Sequence, residues 1–233
     1  MRGLRSETCT GSILPRRFDL ERDSRALANE FTELLNATVC DGPRLSCVIS
    51  PGRERSRAVI GYEIAKDQLD LQKCIPITTG SEPKIWLGFS MRLEQDFEDK
   101  YLMVRQSVML LSTSADPGDT LLHYDYERDK PDDYPDAHLQ ICATSEHWER
   151  IGIRLDGSER PLERMHLPVG GRRFRPTLED IIEFLVSEKL VQPKDGWKTA
   201  VTEGREQFRK KQLRAAIRRD PETARDALAH LDQ

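Results

Sequence analysis

The residues of this chain that could do chemistry gather in two short alternating stretches. Leu121-Leu122-His123-Tyr124-Asp125-Tyr126-Glu127 interleaves imidazole and carboxylates with apolar and aromatic side chains. Ala137-His138-Leu139-Gln140-Ile141-Cys142 does the same further on. Successive side chains of a β-strand point to opposite faces. His123, Asp125 and Glu127 therefore share one side of the first stretch, and Leu122, Tyr124 and Tyr126 share the other. If the two stretches pair as a hairpin, their apolar faces must match. His138 and Gln140 then join His123, Asp125 and Glu127 on a single surface. Imidazole titrates near neutral pH and can take or give a proton at modest cost. A neighbouring carboxylate raises its pKa and fixes its tautomer. His and carboxylate also suit divalent ions. A His-x-Asp step followed by a distant His is weak as metal spacing, however, so neither a metal nor a cofactor is expected. The competing reading is a sheet face that simply meets water, where charged residues belong.

A second candidate lies downstream. His166 opens the run His166-Leu167-Pro168-Val169-Gly170-Gly171-Arg172-Arg173-Phe174-Arg175-Pro176, which leads directly into a helix. Gly170-Gly171 permits a tight turn. Arg172, Arg173 and Arg175 fall close to a helix N-terminus, where anions are favoured. Guanidinium grips phosphate with paired donors, so these arginines are candidate substrate contacts. The spacing is not that of a P-loop. Pairing with local acids such as Glu159, Glu163 and Asp180 is the other account.

These groups need a scaffold, and the pattern along the chain supplies one. Ser24 to Leu35 reads as a first helix with Ser24 as N-cap and Leu27, Phe31, Leu34 and Leu35 on one face. Leu45–Ser50 and 57–64 read as strands around Pro51-Gly52. Ile85, Leu87, Phe89, Met91 and Leu93 alternate with Trp86, Gly88, Ser90 and Arg92, which predicts a half-buried strand. Strands at 101–112, 120–127 and 137–143 follow, with a last one at 164–169. Leu178, Ile181, Ile182, Leu185 and Val186 have amphipathic helix spacing behind a Thr177 cap, with Asp180 at the capping-box position. The expected fold class is therefore α+β: an antiparallel β meander with an N-terminal helix, a C-terminal packed helix and a helical basic tail. The expected division is an N-terminal extension over 1–22, an α+β core over 23–192 and the tail over 193–233.

Composition narrows the function classes without choosing one. The chain has 233 residues, 37% hydrophobic and 33% charged, with a net charge of −4, so nothing global argues for nucleic acid or membrane. No apolar run approaches the roughly 20 residues of a membrane span. The basic N-terminus lacks the apolar stretch of a secretory signal, so a cytoplasmic location is expected. Cys9, Cys40, Cys47, Cys74 and Cys142 form no Cys-x-x-Cys pair and read as reduced, packed thiols. A nucleophilic Cys142 beside His138 is the sharper alternative. Arg205, Arg209, Lys210, Lys211, Arg214, Arg218 and Arg219 make the tail locally basic. Such density can track a nucleic-acid backbone, but only Phe208 is interleaved for stacking.

The blocks LHYDYERDKPDDYPDAHLQI, MHLPVGGRRFRPTLEDIIEFLV and REQFRKKQLRAAIRRDPETA resemble an uncharacterised actinobacterial protein family. Residues 121–190 also resemble the TumE-type toxins of toxin–antitoxin pairs. That resemblance implies a Tyr/Asp-bearing strand at Tyr124 and Asp125, a histidine-bearing strand at His138 and a following Leu/Ile-rich helix from Thr177. It adds Tyr124 as a substrate contact. The resulting expectation is a toxin-like or phage-defence protein acting on RNA or another phosphate-bearing substrate. Its acid–base residues would be His123, Asp125, His138 and His166. The alternative is a non-catalytic protein that binds a cognate protein partner, as an antitoxin-like or scaffolding subunit.

Overall fold

The computed structural model describes residues 17–52, 55–129, 135–143, 166–169 and 175–230. Helix α1 (Leu20–Thr38) begins where the Asp19 carboxylate accepts the Arg22 N–H at 2.7 Å. This is earlier than the predicted Ser24 cap. Ser24 instead lies buried inside the helix, because Asp19 completes a cap upstream and adds a turn that packs Leu20 against the core. The first turn of α1 thus falls within the stretch assigned to the extension.

The sheet comprises β1 (Leu45–Ser50), β2 (Arg57–Tyr62), β3 (Ile75–Ile77), β4 (Ile85–Gln95), β5 (Leu102–Ser112), β6 (Thr120–Glu127), β7 (Ala137–Ile141) and β8 (Leu167–Pro168). Its order is β1-β2-β4-β5-β6-β7-β8, with β3 also bordering β4, and every pairing is antiparallel. A bulge interrupts the β4–β5 register between Arg92 and Leu93. The α+β class expected from the sequence is the one observed.

Helix α2 (Leu178–Ser187) starts at Thr177, whose N–H donates to Asp180 Oδ2 at 2.8 Å, the reciprocal half of a capping box. Helix α3 runs over Trp197–Arg219. Helix α4 (Pro221–Ala229) follows, capped by Asp220, which accepts the Thr223 N–H at 3.0 Å. The core fills the space between these helices and one sheet face. Leu87, Phe89 and Leu93 from β4 meet Leu34 and Leu35 from α1 and Ile182 and Leu185 from α2. Phe31 and Phe89 touch edge to face at 5.4 Å. Each fully buried Leu, Ile or Phe contributes roughly 1.5–3 kcal/mol.

The start of the basic tail belongs to this core. Val201 is buried, and Trp197 and Ala200 pack against the cluster. Arg205 clamps α3 to α2 through Asp180 (3.0 Å) and Glu183 (2.6 Å), and Lys211 reaches Glu30 of α1 at 3.1 Å. A Cβ on Gly204 would stand 2.6 Å from Glu179 Oε1, so the absence of a side chain lets α3 approach α2. Among the described residues, no helix is long and apolar enough to cross a membrane.

Candidate functional site

The described helices pack on the face that carries Leu87, Phe89 and Tyr124, a face that Tyr126 shares beneath Arg175. Register fixes what stands on the other face. Ser90 of β4 lies opposite Val108 of β5, Val108 opposite Asp125 of β6, and Asp125 opposite His138 of β7. One row along, Gly88, Leu110, His123 and Gln140 line up. On the other side run Arg92, Gln106 and Glu127. Directly opposed residues of an antiparallel sheet share a face. The hairpin pairing expected from alternation is therefore the pairing observed. His123, Asp125, Glu127, His138 and Gln140 form one surface.

Within that surface a single carboxylate oxygen lies between two rings. Asp125 Oδ2 stands 3.6 Å from His123 Nδ1 and 3.7 Å from His138 Nε2. Both separations exceed a hydrogen bond. The other oxygen, Oδ1, is buried and has no hydrogen-bond partner among the described residues. The two imidazoles differ in depth. His123 keeps a quarter of its side chain in solvent, whereas His138 is 4% exposed as a residue. Nδ1 of His123 faces the carboxylate, which leaves Nε2 as the nitrogen available to a substrate. His138 is closed in on its Nδ1 side by the Pro135 carbonyl at 3.4 Å, and by the ring of His166, edge to face at 4.4 Å. His166 reaches this position because β8 begins at the next residue and pairs with β7.

A groove of about 140 Å³ continues along the same rows, lined by Asp70, Leu71, Ser90, Arg92, Gln106 and Val108. Arg92 Nη2 meets Asp70 Oδ1 at 2.6 Å along one side. A larger groove of about 500 Å³ at the start of α1, between Arg17, Arg22 and Asp99, holds no histidine.

The structure brings His123, Asp125, His138 and His166 together. It does not bring Tyr124 to them. That ring faces the helices and packs on the core, and burial pushes its phenol pKa up. Arg175 lies on the Tyr126 side of the sheet. Its guanidinium lies over the Tyr126 ring at 4.4 Å, with Arg128 over the same ring at 5.9 Å. Burial, together with Arg128, pulls the Arg175 pKa down, while Tyr126 raises it. Arg172 and Arg173 lie outside the described residues, as do Glu159 and Glu163. Cys142 is exposed just past β7, while burial pushes the thiols of Cys40 and Cys74 up to about 12 and about 11. Among the described residues, no group of three or more His, Cys, Asp or Glu side chains is placed to hold a metal ion.

Sequence reasoning did not single out Ser90, Arg92 and Gln106 as neighbours of the histidines. The alternation of β4 puts Ser90 and Arg92 on the polar side, but only the strand order and register bring that side within two strands of Asp125. Comparison of the chain with protein-family models, curated proteins and solved structures found no match.

Proposed function

We propose that His123 and Asp125 form an acid–base pair acting on RNA or another phosphate-bearing substrate, in the manner of a toxin-like or phage-defence protein. The observation that carries this reading is the shared contact. Two imidazoles lie within 3.7 Å of one Asp125 oxygen, on the sheet face opposite the described helices. His123 Nε2 takes the proton of an attacking hydroxyl. Asp125 holds the ring and stabilises the imidazolium that forms. His138 is too deeply buried to meet a substrate, so it acts as a positioning residue that fixes Asp125 from behind. His166, half-buried beside His138, is the remaining proton donor of the cluster. A phosphate lying along the groove would exchange with Asp70 for the guanidinium of Arg92, and Ser90 and Gln106 offer further donors.

Purified chain incubated with structured and single-stranded RNA tests this reading. Cleavage is expected to fall by at least about 100-fold in His123→Ala, the usual scale for a lost acid–base group, with the circular dichroism spectrum unchanged. RNA that stays intact with the wild-type chain, or cleavage undiminished in His123→Ala, refutes it.

A second reading, a non-catalytic partner-binding protein, has its own support. Leu213 and Ile217 are 59% and 46% exposed on α3, one helical turn apart, with Arg209, Lys210 and Arg214 beside them. An apolar pair ringed by cations suits an acidic protein partner. Co-purification of a neighbouring gene product that is lost in Leu213→Glu would favour it.

A further inference from the structure

Strand β1 forms one edge of the sheet, engaged by α1 at its first N–H but carrying none of the protections that sequence supplies. Edge strands are commonly blunted by charge, proline, a bulge or shortness. β1 reads Leu-Ser-Cys-Val-Ile-Ser, with no charge and no proline, in unbroken register with β2. Elsewhere the sheet is defended. β8 has two residues, one of them Pro168, and β3 has Pro76 at its centre.

One hydrogen bond shows which backbone groups of β1 face outward. Leu45 N–H donates to Thr32 Oγ1 of α1 at 3.0 Å, so it does not point at its opposite residue in β2, Tyr62. Inward and outward positions alternate along an antiparallel strand. Cys47 and Ile49 therefore also turn their N–H and C=O groups away from β2. Among the described residues nothing hydrogen-bonds to them.

We propose that β1 is a self-association edge, on which two copies of this chain pair antiparallel about a two-fold axis at Val48 and extend the sheet through both. In that register the outward groups of Cys47 meet those of the second copy's Ile49, Val48 faces Val48, and Ser46 faces Ser50. The strand is self-complementary in this sense: small polar residues meet each other, apolar residues meet each other, and no like charges oppose. The ends fit as well. Leu45 N–H is already engaged by Thr32, and the residue that would lie across from it, Pro51, has no N–H to satisfy. Beside the edge, α1 presents Glu21 and Arg25 as an ion pair at 2.8 Å, so the flank is of mixed sign and does not repel its own image. An extended peptide from another protein would need no such symmetry.

Light-scattering mass measured on the full chain at rising concentration is expected to approach twice the 26.8 kDa of one chain. Val48→Lys sets two ammonium groups face to face across the axis while leaving the β2 ladder intact, and is expected to restore the single-chain mass. Cys47→Pro removes one outward N–H, a change edge strands tolerate, and is expected to do the same with an unchanged thermal midpoint. Val48→Cys in a Cys47→Ser background is expected to form an intermolecular disulfide on oxidation. Facing positions without mutual hydrogen bonds lie about 4.5 Å apart at Cα, within disulfide reach. A wild-type chain that stays at single-chain mass at every concentration overturns the proposal, including one that takes up an extended peptide of another protein at this edge. A dimer that survives both Val48→Lys and Cys47→Pro overturns it equally.

Discussion

The two faces of the sheet use burial for opposite purposes. On the helix side of β4, Leu87, Phe89 and Leu93 are 1%, 0% and 0% exposed and are surrounded by aliphatic side chains. Each removes apolar area from water and adds stability in proportion. The other side of the same sheet also buries Val59 and Leu110, but in the row of Asp125 the deeply buried side chain is an imidazole. His138 is 4% exposed and ends against Asp125, His166 and the Pro135 carbonyl. Burying a polar ring costs free energy unless a partner offsets it. The first face is built for stability. The second gives up some stability to hold a carboxylate and an imidazole in fixed relation.

Truncation on the helix side tests the first half of this contrast and carries the largest effect. Phe89→Ala removes a ring that contacts Phe31 edge to face and leaves a cavity under α1. A loss of about 3–5 kcal/mol is expected in denaturant unfolding. A loss under about 1 kcal/mol would mean that α1 is not seated on this face, and the contrast would fail.

Titration probes the covered side. The Cys40 thiol lies on the covered side, hydrogen-bonds the Pro76 carbonyl at 3.7 Å and is pushed up to about 12 by burial. A folded-state pKa raised above its ordinary value adds stability that is complete below about 9 and is lost as pH rises towards about 12. The slope is at most about 1.4 kcal/mol per pH unit for this group. Thermal midpoints measured across the alkaline range are expected to fall less steeply in Cys40→Ala than in wild type. Identical slopes would remove the thiol as the cause.

How far the sequence foretold these faces depends on the element. Period-two alternation in β4, β6 and β7 is a local property of the chain, and it assigned every histidine and carboxylate of the hairpin to its observed side. The Thr177–Asp180 cap was equally local and formed as expected. Depth was not legible. His123 and His138 look alike in sequence, yet β8 returns beside β7 alone and buries only the second. The direction of Arg175 was not legible either. A residue leading into a helix can turn to either side of the sheet, and here the Tyr126 ring decides it. The short β3 escaped notice because a strand of Ile-Pro-Ile is shorter than any periodicity test.

Packing on the histidine side gives a smaller effect and sharpens the boundary between the faces. A Cβ at Gly88 would stand 2.5 Å from Leu110 Cγ and 2.9 Å from Leu71 Cδ2, so the segment carrying Leu71 and Asp70 lies directly on β4 here. Gly88→Ala is expected to cost about 1–3 kcal/mol through overpacking. The displaced Leu71 would also move one wall of the groove, read as a weakened Arg92–Asp70 contact in the spectra of the variant. A neutral Gly88→Ala would show that this wall is loose.

The smallest expected effect is the most diagnostic, because it compares adjacent residues on opposite faces. Tyr124→Ala removes a ring that packs on the core, and the loss is expected at about 2–4 kcal/mol for this half-buried site. His123→Ala, one position earlier, removes a side chain that is 25% exposed and touches a carboxylate only at 3.6 Å. Its cost in stability is expected to stay within about 0.5 kcal/mol. If His123→Ala costs as much as Tyr124→Ala, the polar face is a packing surface and its histidine has a structural reason to be there. If it costs almost nothing, the alternation of β6 has set a dispensable side chain, in terms of folding, beside a carboxylate that accepts no hydrogen bond from either histidine. An imidazole that the fold does not need is the one free to serve a substrate.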